Sequence, residues 1–337
     1  MDRNRKKIIR RLIVCRIVLI LLAASAWLMF GRTAAGMSYP NADKYTAGNT
    51  TVTKPVSNLY VDWTSGQVNI EYHDGTGVIV SETANRALSE DDMLRWWLDG
   101  DTLRIRFAKP GFRISVNLDK HLTVSLPKGT VLKSADIGTT SGDLFIPALA
   151  ADDIRLGSTS GSIDAVTDTR KLYAVSTSGD VKVRQNSDIN TVDLGSTSGS
   201  ISCTLGGSVK NLEANSTSGS VSLKVAGAAE EVKAGSTSGS IYPDLASVNK
   251  AEFGSTSGCF SGSVRAFREL KIHTTSGKVD VKLPTDPGFT CKVDSASGDL
   301  TTALSLTKDG NRYTCGDGSA RCSIDTTSGD ITLGRID

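Results

Sequence analysis

Histidine and cysteine are scarce in this chain. Three histidines, His73, His121 and His273, lie far apart with no metal-ligand spacing, and six cysteines in 337 residues are too few for a disulfide-built scaffold. Zinc enzymes and zinc fingers are excluded by that shortage, the Gly-Gly-x-Gly-x-Asp of calcium-binding repeats is missing, and no metal or cofactor is expected. Surplus charge of one sign is missing too. The total is +2, but residues 1–54 hold ten Lys/Arg against Asp2 and Asp43, which leaves 28 basic and 34 acidic residues for 55–337. A mildly acidic body argues against a nucleic-acid partner, whose phosphates need a basic surface. With 22% charged and 39% apolar residues the chain is otherwise of globular composition, neither disordered nor collagenous.

The first 54 residues read as an address. Arg3, Arg5, Lys6, Lys7, Arg10 and Arg11 precede an apolar stretch over 12–30 that only Arg16 interrupts. Its length suits a membrane span, and the basic side belongs in the cytoplasm. A cleaved signal peptide is the competing reading, but the cut after Ala35 has Arg32 beside it and no Ala-x-Ala. Cys15 is read as a bystander. The expectation is a cytoplasmic tail (1–11), a transmembrane helix (12–30) contacting the lipid bilayer, and a flexible linker (31–54) that is small, polar and without periodicity. All that follows would be extracytoplasmic.

The exported part is a repeat. The pattern [Ser/Thr]-[Thr/Ala]-Ser-Gly places its glycine at 142, 161, 179, 199, 219, 239, 258, 277, 298 and 329, and Trp63-Thr64-Ser65-Gly66 precedes them. Around each glycine the apolar residues alternate with period two: Ile154, Leu156, Ile163 and Ala165 in one copy, Leu212, Ala214, Val221 and Leu223 in another. Alternation over short runs predicts strands with one buried face. A unit of about twenty residues cannot bury that face alone, so successive units must stack. The predicted fold is all-β, a single-stranded parallel β-solenoid of about ten rungs of 19–20 residues over 136–337, closed by a C-terminal hairpin cap.

Ser or Thr three residues before each glycine points inward and can bond to backbone at the bend. The glycine is read as supplying a conformation that side chains resist. Val209, Val248, Phe267 and Phe289 plug the second corner. Residues 55–135 lack the beat and read as an irregular β cap, with Trp96 and Trp97 in its core and a hairpin at Asp99-Gly100.

Three features bear on function. Thr159, Thr177, Thr197, Thr217, Thr237 and Thr256 would form an outward ladder able to face a repetitive ligand such as a glycan, although threonine is also simply a good strand residue at a corner. Outward Lys250, Arg265, Arg268, Lys271, Lys278 and Lys282 could meet anionic wall polymers or headgroups. Cys291 and Cys322 occupy equivalent positions and would stack within disulfide reach, while Cys315 could instead pair with Cys322 across the Gly316-Asp317-Gly318 turn; Cys203 reads as core. Catalysis is disfavoured. The acids after the glycines, Asp143, Asp180, Asp299 and Asp330, fall on non-adjacent rungs, and no histidine recurs beside the serines.

Leu122-Thr-Val-Ser-Leu-Pro-Lys-Gly129, the Ser-Thr-Ser-Gly-Ser rungs, Val279-Asp-Val-Lys-Leu-Pro-Thr-Asp-Pro-Gly-Phe289 and Ile324-Asp-Thr-Thr-Ser-Gly-Asp-Ile-Thr-Leu333 together resemble the bacterial putative-adhesin family of β-strand repeats, a domain of unknown function found in LiaG-like envelope proteins. The resemblance spans about 55–337 and implies a β-solenoid at the cell envelope with a role in adhesion or envelope stress. It transfers no catalytic residue. The expected function is therefore a membrane-anchored, non-enzymatic binding module whose partners are wall polymer, glycan or a membrane signalling protein. The alternative is a carbohydrate-active β-helix enzyme.

Overall fold

The structure is a computed structural model and describes residues 39–111, 118–286 and 288–336. The tail and apolar stretch at 1–30 lie outside the described residues, and no helix among the described residues is long and apolar enough to cross a membrane. The described chain divides into two compact parts, meeting in sequence at Arg184 and Gln185.

In the first part the alternating runs form strands that pair in parallel, one repeat upon the next. Leu144–Ser158 pairs along its length with Ile163–Ser176, which pairs with Val181–Gln185, so that Leu144, Ile163 and Val181 are successive partners in one inward column. Each is at most 1% exposed, which for an aliphatic side chain is worth about 1.5–3 kcal/mol. The second corner of this repeat is a register shift between Ile146 and Leu149 that bends one long strand.

Residues 55–135 contain two regular rungs in an order the sequence does not announce. Asn58–Trp63 and Val68–His73 are joined at Gly66 and lie in the interior of the stack: Leu59 and Val61 face Ala135 and Ile137 on one side, and Leu103 and Ile105 on the other. The outermost rung is thus Thr102–Arg106 with Lys120–Pro127, although it comes later in the chain. Antiparallel strands close its edge, Arg95–Asp99 on the first and Val78–Ala84 on the second. Covering both edges removes the unpaired backbone an end rung would expose.

Residues 39–54, expected in a flexible linker, are instead built into this cap. Thr46–Ala47 pairs with Arg95–Asp99, Thr50–Val52 pairs with Val78–Ala84, and Tyr39, Tyr45 and Val52 are buried. Composition hid this because the segment carries too few apolar residues for periodicity. It is held by aromatic and cationic contacts: the Arg106 guanidinium lies 5.0 and 5.1 Å from the rings of Tyr39 and Tyr60, pairs with Asp62, and Tyr39 Oη donates to Ala108 O at 3.2 Å. Glu90–Asp92 is a single 3-10 turn capped by Ser89, after which Trp96 and Trp97 sit half-buried on the covering strand.

The second part repeats the same logic. Val192, Leu212, Val232, Ala251 and Leu270 are successive partners on parallel strands. Chain order is again exchanged at the end. Ala320–Ser328 and Ile331–Arg335 pair with Phe267–Thr274 and Val279–Leu283, and the earlier Phe289–Ser297 and Leu300–Thr302 lie outside them. A hairpin, Thr307–Asp309 with Arg312–Cys315, covers Phe289–Ser297. Small Ala320 between the outer rungs lets the Phe267 and Phe289 rings approach to 6.1 Å.

The corner glycines correct the sequence reading. From Gly142 to Gly277 none has positive φ. Their reason is space: a Cβ on Gly161 would stand 1.9 Å from Gly142 O, on Gly219 2.0 Å from Gly199 O, and on Gly258 1.9 Å from Gly239 O. Glycine stacks on glycine so closely that no side chain fits between. Among the corners a positive φ is confined to Gly66, Gly298 and Gly329, where the chain order is exchanged.

Candidate functional site

The repeated corner is the feature that recurs on rung after rung. Its inner side is a hydrogen-bonded ladder. Ser216 Oγ accepts from Gly219 N at 2.9 Å and donates to Gly199 O at 3.0 Å, and Ser236 and Ser255 do the same with Gly239 and Gly219, and with Gly258 and Gly239. Ser158 and Ser176 repeat it in the first part. Each buried hydroxyl is satisfied twice, so a polar residue inside the core costs little. The ladder stops at Thr326, whose buried Oγ1 has no partner where Gly329 turns to positive φ.

The outer side carries the candidate ligand ladder. Thr159 and Thr177 stack in the first part and Thr197, Thr217, Thr237 and Thr256 in the second, each half-buried rather than fully outward. The exposed residues are the serines beside them, Ser160 and Ser178 in the first part and, as a row of their own, Ser198, Ser218, Ser238 and Ser257 in the second. Backbone bonds fix the row: Ser178 N donates to Thr159 O and Ser218 N to Thr197 O, both at 3.0 Å. The result is a run of hydroxyls at the strand spacing of about 4.8 Å. Sequence parity alone placed the threonines outward and overlooked the serines, because a corner breaks the period-two rule that strands obey.

The residues following the glycines are structural acceptors. Asp143 Oδ1 takes the Ser162 amide at 2.7 Å, Ser162 Oγ the Asp180 amide at 3.3 Å, and Ser240 Oγ the Cys259 amide at 3.1 Å. Asp330 Oδ1 accepts from Asp299 N at 3.1 Å. Asp299 and Asp330 are therefore on adjacent rungs, not separate ones, through the exchanged order; what they share is a backbone contact. Among the described residues no group of three or more His, Cys, Asp or Glu could hold a metal ion.

Charges on the outer strand faces are mostly cancelled by neighbours. Of the outward basic residues, Lys250 pairs with Glu231, Arg265 with Asp244 and Lys271 with Glu269. The Glu231, Asp244 and Glu269 carboxyls are held below their usual range chiefly by hydrogen bonds from Lys233, Ser263 and Lys271 respectively, with Lys250 and Arg265 adding to the first two. One site runs the other way. Asp193 is the register partner of Glu213, and desolvation, with repulsion from Glu213, pushes its carboxyl up to about 6.

One group escaped the sequence reading. Lys120 is wholly buried, donates to Asp92 O and Phe107 O at 2.6 and 2.5 Å, pairs with Glu82 at 2.6 Å, and lies against the rings of Trp63 and Phe107. It fastens the cap, and only its apolar-strand context, Lys120 before Leu122 and Val124, hinted at it. The cysteine arrangement is the first of the two that the sequence left open. Cys291 and Cys322 are partners on adjacent parallel strands, both buried, while Cys315 faces Phe289 from the opposite side of that strand. All five described cysteines are free thiols. Cys203 is core, its thiol pushed up to about 12 by burial.

The profile of the family Toastrack DUF4097 matches residues 56–268 and again 164–334. No curated protein matches the chain. Solved structures similar to it include a putative cell adhesion protein from Clostridium sporogenes, at 14% identity over 87% of this chain and 100% of that one with a TM-score of 0.21. Another is a putative adhesin from Bacteroides fragilis, at 14% identity over 87% of this chain and 97% of that one with a TM-score of 0.31.

Proposed function

Because the chain belongs to the Toastrack DUF4097 family, we propose that it is a membrane-anchored, extracytoplasmic, adhesin-like module that binds a repetitive ligand through its corner and performs no catalysis. The observation that carries this is the exposed serine row backed by stacked threonines, repeated at one-rung spacing on a rigid backbone. Such a row offers donors and acceptors at a fixed interval, which suits the regularly spaced hydroxyls of a glycan or wall polymer better than a single small molecule. The enzymatic alternative has less support, since Asp143 and Asp330 are committed to backbone amides.

Anchorage rests on the apolar stretch at 12–30. The first described residue, Tyr39, is pinned to Ala108, and the eight residues that separate it from the apolar stretch, 31–38, can reach at most about 28 Å. The module would then work close to the bilayer.

The test is a screen of the full chain in nanodiscs against glycans, peptidoglycan fragments and teichoic acids. Saturable binding should be lost in the triple variant Ser218→Glu, Ser238→Glu, Ser257→Glu, which alters exposed side chains only. Binding indifferent to that variant, or release of shortened glycan, would overturn the proposal.

A further inference from the structure

We infer that Cys291 and Cys322 form a disulfide that staples the outermost rung of the second part to the rung it lies on, made while the chain folds and not after. Three observations carry this. The two residues are register partners on adjacent parallel strands, so their Cα atoms stand one strand spacing apart, about 4.8 Å, inside the range a disulfide spans. Both side chains point inward, at 0% and 5% exposure. They also continue a column that is aliphatic on every earlier rung, Val192, Leu212, Val232, Ala251 and Leu270, and becomes cysteine on the last two.

The position explains the choice. An inward side chain elsewhere in the column packs against neighbours above and below. The outermost rung has a neighbour on one side and a short hairpin on the other. Cysteine buries less apolar surface than leucine or valine there, so packing alone does not favour it; a covalent link to the next rung compensates for the missing one. The competing pair is removed by topology. Phe289–Ser297 lies between the strands of Cys315 and Cys322, which puts those two about two strand spacings apart, beyond disulfide reach.

Timing follows from burial and chain order. In the folded state the Cys322 thiol is hydrogen-bonded to Cys291 and desolvated, and both effects raise its pKa well above the ordinary thiol value. Cys322 therefore offers little thiolate there, and burial of both sulfurs keeps an oxidant from reaching them. Cys322 lies on the strand that joins the rung of Cys291 to the rest of the stack and comes later in the chain, so both thiols are open to solvent until that strand pairs. The oxidant is a small disulfide or a thiol oxidoreductase. One cysteine thiolate attacks its S–S bond and forms a mixed disulfide, the second displaces the remaining thiol, and the two electrons and two protons end on the two thiols released. In the cell the bond requires an oxidising compartment and so rests on export; the test below does not.

Trypsin separates the three terminal cysteines, into 283–292, 313–321 and 322–335. Full-length protein is denatured, reduced, and refolded with a glutathione redox buffer, then alkylated, digested and mapped by mass. The expected product is 283–292 joined to 322–335, lighter than the sum of the two reduced peptides by two hydrogens, with 313–321 alkylated. Protein refolded without oxidant and then given the same buffer should form the link at least tenfold more slowly. Alkylation of both 283–292 and 322–335 after oxidative refolding, or a link to 313–321, overturns the pairing. Equal rates before and after folding overturn the timing. Cys315→Ser should leave the link intact, and loss of the link in that variant also counts against the pairing.

Discussion

Replacing Gly219 with alanine would place a methyl carbon 2.0 Å from Gly199 O, 2.4 Å from its carbonyl carbon and 2.7 Å from Ser200 N. All three are backbone atoms of the next rung, so no side chain can swing aside. Ordinary contact begins near 3.4 Å, which demands a local separation of roughly 1.4 Å on a strand spacing of about 4.8 Å. That movement breaks the Ser216 Oγ bond to Gly199 O, now 3.0 Å, and the bond from Ser218 N to Thr197 O, also 3.0 Å. An orphaned buried polar group costs about 1–3 kcal/mol and each lost backbone bond about 1 kcal/mol. The sum, about 2–4 kcal/mol, is a large share of the 5–15 kcal/mol that holds a typical domain. Gly310→Ala is the control: its φ is +59° but nothing lies within 4 Å, so only conformational strain of about 1–2 kcal/mol is expected. Guanidinium unfolding of both variants reads the difference. A Gly219→Ala protein within 1 kcal/mol of wild type, or one less affected than Gly310→Ala, would refute the steric account of the corner.

Ser216→Ala removes a hydroxyl that both donates and accepts inside the core and should cost about 2 kcal/mol in the same assay, whereas Ser218→Ala on the exposed row should change stability by less than about 0.5 kcal/mol. Lys120→Met leaves Glu82 as a buried unpaired charge and should destabilise the cap by about 3–5 kcal/mol, with most of the loss recovered by adding Glu82→Gln; a double variant as unstable as the single would contradict the pairing. Asp193 has its folded pKa raised to about 6 from an ordinary 3.8, so the folded state holds a proton that the unfolded state releases between those values. Its contribution to stability is fully present below about pH 4, falls as pH rises through about 6, and is a standing penalty above it. Asp193→Asn should therefore flatten that part of the stability–pH curve and stabilise the protein at pH 7; an unchanged curve would count against the assignment.

The repeat, its period and its inward residues were legible because stacking demands the same side chain at the same place on every rung. Ile163 and Val181 are partners because both sit two residues after a corner glycine. Pairing across long separations was not legible. Nothing local in Asn58–Trp63 says that it lies between strands at 102–106 and 132–139, since any inward Leu-x-Val run fits any rung. The same ambiguity hid the insertion of Ala320–Ser328 beneath Phe289–Ser297. The glycine column was located correctly but explained wrongly, because a sequence records that a side chain is missing and not whether conformation or a neighbouring carbonyl forbids it. Residues 39–54 were lost to composition, their anchorage being a few aromatic rings on arginines instead of a periodic apolar face.

Rung-on-rung stacking itself is most directly tested by paired spin labels at Thr204, Lys224 and Asp244, outward partners on three consecutive rungs, in a background with Cys15 and the exposed Cys259 changed to serine. The account predicts strong dipolar broadening for 204/224 and for 224/244, with backbone separations of about 5 Å, and weaker coupling for 204/244 at about 10 Å. Sites twenty residues apart that showed no coupling, or a 204/244 pair closer than 204/224, would contradict it.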